Sequence, residues 1–337
     1  MMRREKSYAA AIVLFFVAPL VAEYLLGDFP LTMISLLAVL APLYGGGALL
    51  IRELARRTGR GWPTMLLLGA AYALIEEGFA TQSLFNPDIF HLHGHFLTHA
   101  WIPALGIGGW WTVLMFNVHT FWSMGVSIAL VEALFPARAK SPWLGKIGDS
   151  VVAAIFLAGV VMNAAFSIRS SHFMATPAQF AVTGAVCVLL VCAAFLLPFP
   201  RIHDQAGAVP SAWLTGGGAL LLGLVLTTTP PGWNWGAVGF MSLIDVVFLV
   251  FAGLLSRRSR WTALHTLSLG AAGAVTYGVK AFIQPPVAGG SNHAAVLASH
   301  IVLLCAAIAV IAVCVRRVRA ALATGSAGAS GDPAQAS

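Results

Sequence analysis

The sequence predicts an all-α polytopic membrane protein with about ten transmembrane helices and with its N- and C-termini in the cytoplasm. Of its 337 residues, 59% are hydrophobic and only 9% are charged, and the mean hydropathy is +0.86. A soluble domain carries about 25% charged residues, so this chain has too few charges to cover a water-exposed surface. The composition therefore argues against a soluble enzyme, a disordered protein and a nucleic-acid-binding domain.

The length of the apolar runs predicts the spans. A helix needs about 20 mostly apolar residues to cross the hydrocarbon of a bilayer. Ten runs meet this requirement: 8–27, 30–50, 63–82, 107–134, 148–168, 177–199, 211–229, 234–255, 262–281 and 294–315.

The distribution of basic residues supports this count. The predicted inner segments hold 17 of the 19 Lys and Arg residues, and Arg169 and Lys280 are the two left outside. Cytoplasmic loops carry an excess of Lys and Arg, so the alternation predicts ten spans with both termini inside. We expect a multi-pass protein of the cell membrane, with the lipid bilayer as its partner and no nucleic-acid partner.

The chain is predicted to form one membrane domain followed by a short tail. Residues 1–322 contain all the apolar runs, whereas residues 323–337 are mainly Gly, Ala, Ser and Pro. Such a segment buries too little apolar surface to fold, so it is predicted to be a disordered C-terminal tail.

Ionisable residues within the spans are the candidate functional residues, because they are costly in hydrocarbon and mark functional sites there. The adjacent Glu76 and Glu77 lie on the third span and His119 lies on the fourth. Because hydrocarbon offers neither group a partner, we expect Glu77 and His119 to be direct neighbours across a polar cavity that opens to the outer side. The other buried polar candidates are Glu23, Asp245 and His300.

The segment Ala73-Leu-Ile-Glu-Glu-Gly-Phe-Ala-Thr81 resembles the first motif of the CPBP intramembrane protease family. This family includes the CAAX-processing prenyl endopeptidases and the bacteriocin self-immunity proteins. The two glutamates match the acidic pair, His119 matches the first histidine, and Asn163 matches the terminal amide. The chain departs from the pattern at Thr81, Met115 and Gly159, where the family has Arg, Phe and a second His, respectively.

The resemblance implies a membrane-embedded hydrolase, namely a peptidase acting on a peptide or a lipidated substrate. In this interpretation Glu76 or Glu77 activates water, and His119 and Asn163 stabilise the developing oxyanion or hold a metal. His119 and Glu77 are the candidate ligands of a divalent metal.

Two other functions fit the same residues. Ten spans with few buried charges suit a transporter of small molecules, in which Asp245 and His119 carry a proton. A non-catalytic immunity-type membrane protein would keep the fold of the family and lack some of its motif residues.

Overall fold

The structure is a computed structural model that describes residues 8–89, 95–199 and 206–329, and it confirms the predicted all-α class. The helices are α1 (Tyr8–Pro19), α2 (Leu37–Arg57), α3 (Trp62–Leu74), α4 (His95–Thr98), α5 (Gly109–Asn117), α6 (Ser127–Leu134), α7 (Lys146–Ser171), α8 (Pro177–Leu196), α9 (Ala212–Thr227), α10 (Trp235–Leu255), α11 (Ala263–Lys280) and α12 (His293–Ala329). Short 3₁₀ helices cover Leu31–Leu36, Pro136–Arg138 and Pro231–Trp233.

Seven helices in the described part of the chain are long and apolar enough to cross a membrane. They are Tyr8–Leu25, Leu31–Arg57, Gly109–Leu134, Lys146–Ser171, Pro177–Leu196, Trp235–Leu255 and His293–Thr324. Three further helices, which contain α3, α9 and α11, lie where the remaining predicted spans were placed. The chain is a multi-pass membrane protein, whereas ten crossings and cytoplasmic termini stay predictions.

The connection between α3 and α5 contains a short β-hairpin, which the all-α prediction did not include. Strand β1 (Trp101–Ile102) pairs antiparallel with strand β2 (Ile107–Gly108). The turn between them uses Gly106 at φ +67°, a conformation that favours glycine. Two-residue strands are too short to produce a recognisable alternation in the sequence.

Three helices continue into π-helical turns within the described residues. These turns are Leu20–Leu25 after α1, Ile75–Ala80 after α3, and Val118–Val126 between α5 and α6. In a π-helix the backbone hydrogen bond spans one residue more than in an α-helix, and such turns occur frequently at functional sites. Each of the three turns carries a buried or half-buried ionisable side chain.

The run Gly45–Gly47 on α2 lets three other helices approach closely. A Cβ at Gly45 would overlap the carbonyl oxygen of Phe15 on α1, and a Cβ at Gly46 would lie 3.0 Å from that of Phe156 on α7. A Cβ at Gly47 would overlap the ring of Tyr72 on α3. Small residues let helix backbones approach closely, and these three glycines do so here.

A buried set of charges, which we call the ionic staple, joins the C-terminal half of α2 to α6. Its members are Arg52, Glu53, Arg56 and Glu132. The guanidinium of Arg52 lies 2.5 Å from Glu53 and 3.2 Å from Glu132. Arg56 holds both oxygens of Glu132, at 2.8 and 2.5 Å.

The ionic staple also fixes the connection between α6 and α7. Arg52 donates to the carbonyls of Arg138, Ala139 and Ser141 at 2.8–3.1 Å. Its guanidinium carbon lies 3.5 Å from the ring centroid of the fully buried Trp143. Arg52 was predicted to lie in an inner loop, but it is fully buried within α2 because these partners replace its water.

The C-terminal helix extends further than expected. α12 runs to Ala329, so the first seven residues of the predicted tail, 323–329, continue a helix. The rest of that tail, 330–337, lies outside the described residues.

Candidate functional site

His119 lies between the two carboxylates of Glu76 and Glu77. Its Nδ1 is 3.0 Å from Oε2 of Glu76, and its Nε2 is 2.6 Å from Oε1 of Glu77. The three residues are 4%, 1% and 6% exposed, respectively. The prediction that Glu77 and His119 are direct neighbours is therefore confirmed, whereas the opening of a cavity to the outer side stays a prediction. We call these three residues the Glu–His–Glu centre.

The second oxygen of Glu77 is held by two hydroxyl groups. Oε2 accepts hydrogen bonds from Thr81 Oγ1 at 3.0 Å and from Ser83 Oγ. The indole nitrogen of Trp111 donates to Ser83 Oγ at 3.1 Å. Thr81, which stands where the CPBP pattern has Arg, thus fixes the orientation of Glu77.

Glu76 is held less completely than Glu77. Its Oε2 is buried and has no hydrogen bond of good geometry among the described residues, although Nδ1 of His119 is 3.0 Å away. Ser123 Oγ approaches the same ring nitrogen at 3.4 Å. The aromatic rings of Tyr44 and Tyr72 flank the imidazole, with ring centroids 6.2 and 6.0 Å from it. The close approach of His119 Nδ1 is therefore the polar contact that the structure gives Glu76 Oε2.

Asn163 is the fourth site residue that the resemblance to the CPBP family suggested, and its hydrogen bonds are to backbone carbonyl groups. Its amide nitrogen donates to the carbonyl of Gly159 at 2.8 Å and to that of Val39 at 3.4 Å. The position of the missing second histidine is a helix contact, because a Cβ at Gly159 would lie 2.6 Å from the backbone nitrogen of Leu43. A histidine at this position would force α2 and α7 apart.

The remaining buried polar candidates lie at different places. Glu23 accepts a hydrogen bond from the hydroxyl of Tyr44 and so adjoins the Glu–His–Glu centre. Asp245 on α10 accepts a hydrogen bond from Asn117 Nδ2 at 3.0 Å. His300 on α12 is 5% exposed, and its ring contacts that of Phe282 at 5.4 Å between centroids.

The donor atoms of the centre are spaced closely enough to hold a metal ion. One oxygen from each of Glu76 and Glu77 and one nitrogen of His119 lie within 4.8 Å of one another. Catalytic zinc sites use three protein ligands of this kind and leave one position open. The residue types therefore fit a divalent cation.

Comparison with known proteins identifies the family of this chain. A family model described as "Uncharacterized membrane protein family" matches residues 12–330. The chain belongs to that family. No curated protein and no solved structure matches it. The family description names no reaction, so a CPBP-like activity of this chain is a proposal.

Sequence reasoning in this family member missed the groups that hold the centre in place. Ser83 donates to Glu77 and Trp111 donates to Ser83, but neither residue carries a charge, and selection by charge within the spans passes over such residues. Tyr44 and Tyr72 were passed over for the same reason. The glycine run of α2 was the sequence feature that could have indicated the position of Tyr72, because the absence of a side chain at Gly47 makes room for the Tyr72 ring.

Proposed function

We propose that this protein is an intramembrane hydrolase in which the Glu–His–Glu centre activates water. The observation that carries the proposal is a buried imidazole with one carboxylate at each ring nitrogen, at 3.0 and 2.6 Å. Each of these groups lies on a π-helical turn. Many hydrolytic enzymes contain a comparable arrangement, in which one side chain orients a general base and the base takes a proton from the nucleophile.

The contacts of the two carboxylates support different roles. Glu77 is bound by His119, Thr81 and Ser83, so it orients the imidazole. Glu76 Oε2 accepts no hydrogen bond from a hydroxyl group of the described residues and lies 3.0 Å from His119 Nδ1, so we assign to Glu76 the removal of a proton from water as the water oxygen forms a bond to the substrate carbonyl carbon. Glu76 then returns this proton to the leaving group as the acyl bond breaks, while both ring nitrogens of His119 stay paired with the two carboxylates.

A divalent cation is the other means of activating water that these residues support. Glu76, Glu77 and His119 would hold it, and it would polarise the bound water and so lower the pKa of that water. Equilibrium dialysis against Zn²⁺ or Mn²⁺, followed by elemental analysis, tests this form of the site. A bound ion in the wild type that is lost in Glu77→Gln would assign water activation to the metal.

The surroundings of the centre favour a substrate that enters from the bilayer. The centre is buried, and His119 lies in Gly109–Leu134, a helix that is long and apolar enough to span a membrane. A peptide carrying a lipid or a hydrophobic segment reaches such a site through the hydrocarbon. We therefore propose peptides and lipidated peptides as the substrate class.

Hydrolysis can be measured without knowing the substrate in advance. The protein in lipid nanodiscs is incubated in H₂¹⁸O with a mixed panel of peptides and lipidated peptides, and mass spectrometry detects ¹⁸O in new carboxylates. We expect labelled products with the wild type and with the control Asp245→Asn, and none with Glu76→Gln or His119→Asn. Equal labelling by the wild type and both centre variants, or no labelling by the wild type, would refute the proposal.

A proton-coupled carrier is the second candidate, favoured by the pair of Asp245 and Asn117. Asp245 lies in the middle of an apolar helix with its carboxylate 3.0 Å from Asn117 Nδ2, and such residues mark ion pathways. The carrier predicts that uptake into proteoliposomes stops when the pH gradient is removed and in Asp245→Asn. Gradient-independent uptake would contradict it.

A further inference from the structure

Six arginines lie in two short runs, which we together call the arginine rim. They are Arg257, Arg258 and Arg260 on the connection between α10 and α11, and Arg316, Arg317 and Arg319 on α12. Arg317 donates to the carbonyl of Leu134, the last residue of α6, at 2.8 Å. The run on α12 therefore lies beside the end of α6.

The other run lies at the same end of the bundle, because α11 runs antiparallel to α6. A Cβ at Gly273 would overlap Val126, directly before α6, and a Cβ at Gly270 would lie 2.8 Å from that of Ala129. The first turn of α11 is therefore near the end of α6. The connection that precedes α11 carries its three arginines to that end.

The acids near the rim do not neutralise its charge. Three described acids lie at this end of the bundle, Glu53, Glu132 and Asp149, and each is 2.5 Å from a different arginine of α2. Among the described residues, no salt bridge involves an arginine of the rim. The rim therefore offers uncompensated positive charge to an anionic ligand.

Exposed apolar side chains precede both runs of the rim. On α12, Val310 and Val313 are exposed and share a helix face with Arg317, because positions i, i+3 and i+7 lie on one side of an α-helix. On α10, Phe251 and Leu254 are exposed shortly before the other run. Both helices are long and apolar enough to cross a membrane. A lipid acyl chain that lies along either helix would therefore place its headgroup at the arginines.

The guanidinium groups of the rim suit a phosphate ester. Arginine presents planar donors that bind two phosphate oxygens at once. Arg258 and Arg317 are each oriented by a backbone carbonyl, at 2.6 and 2.8 Å, and each keeps further N–H donors. Arg316 and Arg319 are exposed, so their donors can reach a ligand in the headgroup layer.

We propose that the arginine rim binds the headgroups of anionic phospholipids. Basic residues at the membrane surface attract lipids of net negative charge. A zwitterionic headgroup carries its own ammonium group beside the phosphate, whereas a headgroup such as phosphatidylglycerol leaves the phosphate charge to the protein. The rim therefore distinguishes the two lipid classes by charge. It does so whether or not the Glu–His–Glu centre hydrolyses a substrate.

Native mass spectrometry of the full chain in detergent micelles tests the proposal. The protein is titrated with phosphatidylglycerol and, separately, with phosphatidylcholine. We expect phosphatidylglycerol to bind at least about tenfold more tightly. The double variant Arg316→Gln/Arg319→Gln should lose about tenfold of this affinity or more and bind phosphatidylcholine as the wild type does. Arg316→Lys/Arg319→Lys keeps the charges and should keep the preference, so the test stays decisive if the Gln variant folds poorly.

Lys146→Gln/Arg169→Gln is the matched control. It also removes two exposed cations, but they lie at opposite ends of α7 and not in a run. This control should bind phosphatidylglycerol as tightly as the wild type. Equal affinity of the wild type for the two lipids, or equal losses in the Arg316→Gln/Arg319→Gln variant and the control, would overturn the proposal. Displacement of phosphatidylglycerol by an equal concentration of inorganic phosphate would also overturn it, because the ligand would then be free phosphate.

Discussion

Replacing Arg52 with Met removes the central cation of the ionic staple and keeps a long apolar side chain. In the wild type this guanidinium contacts two carboxylates, at 2.5 and 3.2 Å, and three carbonyl groups. Breaking a buried ion pair by removing one partner costs about 3–5 kcal/mol, because the other charge stays buried. Among the residues that the structure describes, Glu132 keeps Arg56 as a partner, whereas Glu53 keeps the backbone amides of Trp143 and Leu144, with Arg57 3.9 Å away.

We therefore expect Arg52→Met to lower the free energy of unfolding by about 3–5 kcal/mol. The assay is a denaturant titration in detergent micelles, followed by tryptophan fluorescence. Lys146→Met is the control, because Lys146 is exposed and carries the same charge at the start of α7. Its free energy of unfolding should change by about 0.5 kcal/mol or less. Equal effects of the two substitutions would refute the structural role assigned to Arg52.

Three further outcomes can be measured by similar titrations. Gly159→Ala should destabilise the protein by about 1–3 kcal/mol through overpacking against α2, whereas Gly217→Ala, which meets no atom within 4 Å, should not destabilise it. Since the pKa of Asp28 rises from 3.8 to about 7 on folding, the native state holds more protons, and its stability should fall as the pH rises from 4 to 7. Asp28→Asn should flatten that decline. Thr81→Val should cost about 1–2 kcal/mol, because it leaves Glu77 with one hydroxyl donor fewer; no loss would contradict the role of Thr81.

Hydropathy predicts the helices of this protein well because each span must satisfy its own backbone hydrogen bonds in hydrocarbon. The predicted run 148–168, for example, corresponds to α7 at Lys146–Ser171. Charge counting was less informative at Arg52, because the positive-inside rule treats a basic residue as a loop marker. The rule does not take account of Glu53 and Glu132, whose carboxylates both contact Arg52 once α2 and α6 pack together.

The core of the candidate site could also be predicted, since Glu77 and His119 each need a partner that lipid does not supply. The π-helical turns could not, because a changed hydrogen-bond register leaves no periodic signal in an apolar sequence. Asn163 was selected by motif position, but its amide binds the carbonyl of Gly159 in its own helix. The family pattern fixed its place along the chain, whereas the close contact of α2 and α7 at Gly159 determines its surroundings.

The central claim is that Glu77 and His119 act as one interacting centre, and a double-mutant cycle tests it most directly. The free energies of unfolding are measured for Glu77→Gln, His119→Asn and the double variant, and a second cycle pairs Glu77→Gln with Asp245→Asn. Contacting residues couple by about 0.5–3 kcal/mol, and a buried hydrogen-bonded pair 2.6 Å apart should give about 1 kcal/mol or more. The control pair should be additive. Additivity of Glu77 and His119 to within about 0.5 kcal/mol would contradict the account.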